Sequence, residues 1–439
     1  MLRLEQRDDQ ERLVVEPATS MQGSLRVPGD KSISHRAVML AAVARGESLI
    51  KGFLPAEDTL NTLGAIKSLG VKVEKGAEGY LIRGRGGDYF EEPRDVMEMG
   101  NSGTGMRLLT GMLSAQGDGY FVLTGDASLR QRPMKRIIGP LSRMGGRILG
   151  RCNHSLPPLT VLGSELEPIN YRLPIPSAQV KSSILLAALF TEGTTTIKQP
   201  LPSRDHTERM LSYLGAQIDC QENEIRLQGP ASLQGAIIDI PGDLSSAAFL
   251  LVAGMLLPES RLELREVGIN PTRSGLLEIL QRMGASLTLR ESRELSGEPR
   301  GELAVSSSSL RGIELGEEVI PRLIDEIPVL VAAAVLARGQ TVIRGAKELR
   351  VKETDRIKAL VTEFGRMGAS IQELEDGMII EGQEELPGGV TCESYGDHRI
   401  AMALAVAGLA SRRGVTIRNW ECTHTSFPGF VELLNNTIN

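Results

Sequence analysis

Aromatic side chains are scarce in this sequence: one Trp, six Tyr and eight Phe among 439 residues. Proteins that bind single-stranded nucleic acid stack bases on aromatic platforms set in a basic groove. The basic groove is missing as well, because 49 Lys and Arg face 55 Asp and Glu, a formal charge of −6. Such a balance favours solubility and argues against a nucleic-acid partner. The four cysteines (Cys152, Cys220, Cys392, Cys422) form no CxxC pair, and the five histidines are equally dispersed. Neither a disulfide framework nor a metal site is therefore expected. No apolar run approaches the roughly 20 residues that span a bilayer. The segment Met1–Asp9 is charged and lacks an apolar signal region. The expectation is a metal-free cytoplasmic protein with no membrane partner.

With few aromatics the core must be aliphatic, and helices rich in Ala and Leu supply it. Six times a short polar cluster runs straight into such a helix. Asp30-Lys31-Ser32 precedes Arg36–Val43, and Asn101–Thr104 precedes Met106–Leu109. Ser177-Ala178-Gln179 precedes Ser183–Leu189, and Asp243–Ser246 precedes Phe249–Ala253. Asp325-Glu326 precedes Val329–Leu336, and Asp397-His398-Arg399 precedes Ile400–Ala407. A helix N-terminus offers unpaired N–H groups and partial positive charge, so the set points to phosphates or carboxylates as ligands.

After each apolar helix comes a turn and a strand, as in Gly46–Gly52, Gly193–Lys198, Gly339–Gly345 and Gly414–Arg418. A second helix then ends in an apolar residue plus Gly: Leu69-Gly70, Met144-Gly145, Leu214-Gly215, Met283-Gly284, Met367-Gly368. Glycine there suits the left-handed residue that stops a helix. The period is roughly 70–80 residues, too long for a solenoid, so compact lobes are expected. The sixth unit lacks a closing strand, which Leu13–Glu16 can supply. Residues 1–21 plus 241–439 then form one lobe and residues 22–240 the other, with crossings near 20–22 and 240–241. The acidic segment Arg290–Gly301 reads as an exposed excursion.

Two phosphate motifs fail. Val27–Ser32 has the wrong glycine spacing for a Walker loop, and Gly84-Arg85-Gly86 lacks the third glycine of a dinucleotide fingerprint. A second tier of clusters opens the second helices: Ser128–Pro133, Arg204–Glu208, Asn270–Arg273 and Val351–Arg356. In the last, Lys352 and Arg356 are spaced to share a helix face, with Glu353 beside them. Lys181 adds charge near Gln179. An Asp or Ser at a helix start is most often an N-cap, which suffices for Asp58, Asp243 and Ser245. Asp325 fits either a cap or a base at a lobe interface. His206 and His398 read as structural.

In order, Pro28–Arg36, Gly100–Arg107, Ser177–Lys181, Arg204–Glu208, Arg350–Arg356 and Gly396–Arg399 resemble the enolpyruvyl transferase family. The resemblance covers essentially the whole chain and is greatest for the branch that uses shikimate 3-phosphate. It implies an α/β fold, a two-lobed inverse α/β barrel of six βαβαββ units, three per lobe. It implies transfer of enolpyruvyl from phosphoenolpyruvate to the 5-hydroxyl of shikimate 3-phosphate, with no cofactor, by a monomer. Lys31, Ser32, Arg36, Ser177, Ala178, Gln179, Arg204, Asp325 and Lys352 would hold shikimate 3-phosphate. Lys31, Asn101, Gly103, Arg132, Gln179, Arg356 and Arg399 would hold phosphoenolpyruvate, with Arg130 the alternative to Arg132. Asp325, Glu353 and Lys31 would share the proton transfers.

Gly29–Lys31, Ser177–Lys181, Arg204–Glu208 and Asn270–Arg273 are similar to the motifs of the branch often called class II. For the inhibitor glyphosate the resemblance points two ways. Leu108 and Thr425 depart from the sensitive branch, whereas Gly103 keeps the room the inhibitor needs. The sister activity on UDP-N-acetylglucosamine usually carries a reactive Cys before the Arg-Pro pair, and residues 124–133 contain none. An RNA 3′-phosphate cyclase would need a nucleotide-attacking His and an RNA-binding surface, and neither is visible. A non-catalytic anion-binding descendant should have lost Asp325 or Glu353, and both are present.

Overall fold

The computed structural model describes residues 1–7 and 10–438. Asp8 and Asp9 of the charged leading segment lie outside the described residues.

Five of the six polar clusters act as helix caps in the way their side chains allow. Asp30 accepts from Ile33 N at 2.9 Å, Ser102 from Gly105 N at 3.0 Å and Ser177 from Val180 N at 3.5 Å. Asp243 accepts from Ser245 N at 2.8 Å, and Asp397 from Arg399 N at 2.9 Å. The helices they open are Lys31–Val43, Gly103–Ser114, Ala178–Ala188, Leu244–Leu256 and His398–Leu409. The fifth in chain order, Ile327–Ala334, differs. Glu326 occupies its cap position without a side-chain bond, and Pro328 sits in the first turn. Asp325 is therefore not the N-cap, which removes one of its two readings.

These six helices are buried on nearly every side, the pattern of helices that form a core rather than cover one. The chain divides into two compact units, each with three of them. The central unit comprises residues 29–241 and 294–298, and the terminal unit residues 1–28, 242–293 and 299–439. In the central unit, the helix Gly103–Ser114 packs on Lys31–Val43 and on Ala178–Ala188. A Cβ at Gly111 would stand 2.1 Å from Ser183 O, so only glycine permits the second approach. In the terminal unit the helices Leu244–Leu256, Ile327–Ala334 and His398–Leu409 pack on one another.

Six four-stranded sheets complete the units. Each has one parallel pair and two antiparallel pairs. Asn170–Arg172 runs parallel to Gly193–Lys198, which pairs antiparallel with Glu224–Gly229, itself antiparallel to Ile218–Cys220. The five glycines that follow the second helices have φ between +83° and +98°, the left-handed conformation read from the sequence. The N-terminal residues do supply a closing strand: Gln10–Val15 pairs antiparallel with Val415–Arg418, Val15 opposite Val415. No helix among the described residues is long and apolar enough to cross a membrane.

Two expectations need correction. The first division between the units falls at Pro28/Gly29 rather than near 20–22. The reason is that Gln22–Leu25 pairs in parallel with Arg261–Gly268, a strand of the terminal unit. The segment Arg290–Gly301 is exposed over 290–295 as expected, but it is part of a hairpin of the strands Ser286–Leu295 and Glu298–Ser306, and Ser296, Glu298, Arg300 and Gly301 are buried. Ser296 and Gly297 turn it with φ of +54° and +77°, the left-handed pair that a tight hairpin turn requires. Its tip, residues 294–298, belongs to the central unit. There Glu298 meets His206 at 2.8 Å, and Asp239 N donates to Ser296 Oγ at 3.0 Å.

Candidate active site

In the central unit the first helix carries Lys31 and Arg36 at its start. Lys31 Nζ forms an ion pair with Asp58 Oδ2 at 2.5 Å. Four residues on, His35 Nδ1 meets Thr62 Oγ1 at 2.8 Å. The helices Lys31–Val43 and Glu57–Ser68 are thus joined by two rungs, one turn apart. Asp58 is no cap, since Ala56 holds that position. Burial, with Lys31 and Arg36 nearby, drives the His35 pKa well below its usual value, so its ring is neutral at pH 7.

Arg36 is buried and donates to Ser32 O, Thr207 Oγ1 and Ser182 Oγ at 2.9, 2.7 and 2.8 Å. Burial lowers its pKa to about 10, with Glu208 and Asp30 opposing and Arg204 assisting the shift. It remains a cation at neutral pH. Lys181 does not add charge to this surface as expected. It is fully buried and pairs with Glu208 at 2.6 Å, because its position on the helix Ala178–Ala188 turns it into the core.

Asn101, Gly103, Arg132 and Gln179 gather beside the helix Gly103–Ser114. Arg132 Nη2 donates to Asn101 Oδ1 at 2.5 Å and Nη1 to Asn101 O at 3.2 Å. Asn101 in turn donates to Asp126 at 2.7 Å. A Cβ on Gly103 would stand 3.0 Å from Arg107 Nη1 and 3.3 Å from Arg132 Nη1, so its bare Cα faces two guanidiniums. Gln179 Oε1 accepts from Arg107 at 2.7 Å and from Arg136 at 3.0 Å, and its Nε2 donates to Thr104 Oγ1 at 3.0 Å. Ser177 caps its helix, with Ala178 following in the first turn. Arg204 lies close enough to Arg36 to affect its charge.

In the terminal unit Asp325 is the centre of a cation ring. Its Oδ1 lies 3.8 Å from Lys352 Nζ and 3.6 Å from Arg356 Nη1, and its Oδ2 lies 3.8 Å from Arg399 Nη2. Arg399 Nη1 also donates to Asp325 O at 2.8 Å, which fixes the loop before the helix Ile327–Ala334. Arg356 donates to Asp397 at 2.7 Å and to Glu353 at 2.5 Å. Burial works against its charge, yet Asp397 and Glu353 outweigh burial and raise its pKa above the usual value. Arg399 also lies 3.8 Å from Glu326, which accepts from Ser245. Ser245 and Asp243 both accept from Arg273, which ties the fourth polar cluster to this network.

Lys352 and Arg356 do meet at one carboxylate, though not as neighbours on a helix. The helix begins at Arg356, capped by Asp355 on Lys358 N at 3.1 Å, and Lys352 follows a 3₁₀ turn over Lys347–Val351. His206 pairs with Glu298, and His398 lies 3.5 Å from Thr425, in keeping with structural roles.

Sequence reasoning missed three participants. Asp58 was read as a cap, although Lys31/His35 and Asp58/Thr62 share a spacing of four that could have matched them. Arg136 carries no signal of its own and Glu326 is marked only as the second residue of its polar cluster, since their roles depend on the approach of separate elements.

The fold is shared with an enolpyruvyl transferase. The crystal structure of NikO from Streptomyces tendae superimposes with a TM-score of 0.76 over 97% of each chain at 20% identity. The family model for EPSP synthase (3-phosphoshikimate 1-carboxyvinyltransferase) matches residues 15–434, and the chain belongs to that family. EPSP synthase from Acinetobacter baumannii has a TM-score of 0.86 and 45% identity over 98% of each chain. A 3-phosphoshikimate 1-carboxyvinyltransferase from Geobacter sulfurreducens is 51% identical over 419 residues, covering 95% of this chain and 97% of its own.

Proposed function

We propose that this chain transfers the enolpyruvyl group of phosphoenolpyruvate to the 5-hydroxyl of shikimate 3-phosphate and releases phosphate. The observation that carries the reading is Asp325, a carboxylate held among Lys352, Arg356 and Arg399 at 3.6–3.8 Å. Each substrate brings a carboxylate and a phosphate of charge about −1.5 to −2, so many cations must converge on them. The central unit carries Lys31, Arg36, Arg132 and Arg204, and the terminal unit carries Lys352, Arg356 and Arg399.

In this reading Lys31, Ser32, Arg36, Ser177, Ala178, Gln179, Arg204 and Lys352 bind shikimate 3-phosphate. Lys31, Asn101, Gly103, Arg132, Gln179, Arg356 and Arg399 bind phosphoenolpyruvate. Asp325 takes the proton of the attacking 5-hydroxyl as its oxygen bonds to C2 of phosphoenolpyruvate. Glu353, assisted by Lys31, delivers a proton to the methylene carbon, which becomes a methyl group. In the elimination the Glu353 carboxylate takes back a methyl proton as the bond from C2 to the phosphate oxygen breaks, which releases phosphate and restores the double bond. Arg356 and Arg399 offset the charge on the transferred group through both steps.

Phosphate release from the purified chain with both substrates tests the reading. Release that requires both is expected. Folded protein that binds shikimate 3-phosphate and releases nothing is instead an anion-binding module. The same reading takes the enzyme to be a cytoplasmic monomer, in keeping with its net charge of −6. Glyphosate is taken to compete with phosphoenolpyruvate, and inhibition at varied phosphoenolpyruvate decides whether Gly103 or the pair Leu108 and Thr425 dominates its strength.

A further inference from the structure

Gln179 Oε1 accepts two hydrogen bonds, from Arg107 Nη1 at 2.7 Å and Arg136 Nη2 at 3.0 Å. An amide oxygen has two lone pairs, and both are thereby engaged by cations. The amide nitrogen is left to face the other way, where it donates to Thr104 Oγ1 at 3.0 Å. Oxygen and nitrogen of a glutamine amide are nearly isosteric, so which of them faces a ligand is set by its partners. The three groups come from three helices, Gly103–Ser114, Lys135–Arg143 and Ala178–Ala188, all in the central unit. Arg136 sits in the first turn of its helix beside Lys135, where positive charge opposes the helix dipole. A cation held at an unfavourable position calls for a compensating contact, and the Gln179 carbonyl oxygen is that contact.

We propose that Arg136 is a positioning residue: together with Arg107 it fixes the orientation of the Gln179 amide, so that an N–H rather than the oxygen is offered to the anionic substrate. A flipped amide would turn its oxygen toward a phosphate or carboxylate, replacing attraction by repulsion. The inference rests on the assignment of Gln179 to phosphoenolpyruvate binding made above. Arg136 itself acts through the amide and need not touch the substrate.

A double-mutant cycle on the full-length chain tests it, with kcat and both KM values measured for wild type, Arg136→Ala, Gln179→Ala and the double variant. Arg136→Ala should raise KM for phosphoenolpyruvate about tenfold, the scale of one charge-assisted hydrogen bond. Its kcat should stay within about threefold of wild type, and Arg136→Lys, which keeps one donor, should recover part of the loss. Once Gln179 is alanine, removing Arg136 should have no further effect. Independent, multiplying effects of the two substitutions overturn the inference, because Arg136 then meets the substrate directly. An unchanged KM in Arg136→Ala overturns it as well. If Gln179→Ala alone leaves KM for phosphoenolpyruvate unchanged, the underlying site assignment fails instead. Unchanged thermal unfolding of Arg136→Lys guards against a general folding defect, and if Arg136→Ala fails to fold, Arg136→Gln takes its place in the cycle.

Discussion

Arg356 Nη1 stands 3.6 Å from Asp325 Oδ1 and makes no hydrogen bond among the described residues. The other two nitrogens of the same guanidinium are committed to Asp397 and Glu353. Arg356 is thus held by two carboxylates and keeps its Nη1 group in reserve beside a third. On the proposed reading, that state suits a group that meets phosphoenolpyruvate without first breaking a strong bond. The Asp325 carboxylate stands among three cations, at 3.8 Å from Lys352, 3.6 Å from Arg356 and 3.8 Å from Arg399.

Asp325→Ala should therefore lower kcat by about 10²–10⁴-fold, the usual worth of a general base, while KM for either substrate changes by no more than a few fold. Steady-state phosphate release measures both. Equal losses in kcat and in substrate affinity would reassign Asp325 to a role in binding.

Gly103→Ala places a methyl group 3.0 Å from Arg107 Nη1 and 3.3 Å from Arg132 Nη1. Both are tips of flexible side chains, so the fold should tolerate the change with a loss of about 1 kcal/mol or less. The two guanidiniums must retreat, and KM for phosphoenolpyruvate should rise several fold. Thermal unfolding and saturation curves give the two halves of this prediction. A large drop in stability with KM unchanged contradicts it.

Lys181 and Glu208 form a buried ion pair, at 0% and 4% exposure. Lys181→Met strands a carboxylate in the core and should cost about 3–5 kcal/mol, whereas the double change to Met and Leu should recover much of that loss. Denaturant titration of the three proteins reads it directly.

His35 supplies a pH dependence whose sign follows from its environment. Its folded pKa lies well below the usual imidazole value of about 6.5 that applies in the unfolded chain. The unfolded chain then binds the proton first as pH falls, so stability contributed by the neutral ring is complete above about 6.5 and declines below it. The limiting slope for one proton is about 1.4 kcal/mol per pH unit. His35→Gln, which can keep the bond to Thr62, should flatten the decline between pH 6.5 and 5. Identical pH profiles for variant and wild type would show that His35 titrates normally.

The repeat was legible because it rests on local chemistry. Capping residues, apolar runs and the glycines at helix ends each declare themselves within a few positions, and five of the six cluster starts act as caps. The exception, Asp325, is informative. A proline at position 328 sets the start of its helix, and the acidic residue is displaced into the cation ring. What the sequence hid depends on approach between separate elements. Lys181 follows one polar cluster and Lys352 lies within another, yet the first is turned into the core against Glu208 and the second faces Asp325. Helix phase decides the first and a 3₁₀ turn the second, and neither is written in residue type. The division at Pro28/Gly29 is not written in the sequence because Gln22–Leu25 is a short strand with little apolar character, recognisable only by its partner Arg261–Gly268.

The pairing of Gln10–Val15 with Val415–Arg418 also sets a timetable. During synthesis the first of these strands emerges about 400 residues ahead of its partner. At about 5–20 residues per second, that is a wait of about 20–80 s. Through that interval Leu13 and Val15 have the strand Leu2–Arg7 beside them, but the partner on the other edge, Val415–Arg418, has yet to be made. Gln10–Val15 is thus made long before the strand that completes its pairing, and its sheet closes only when Val415–Arg418 arrives.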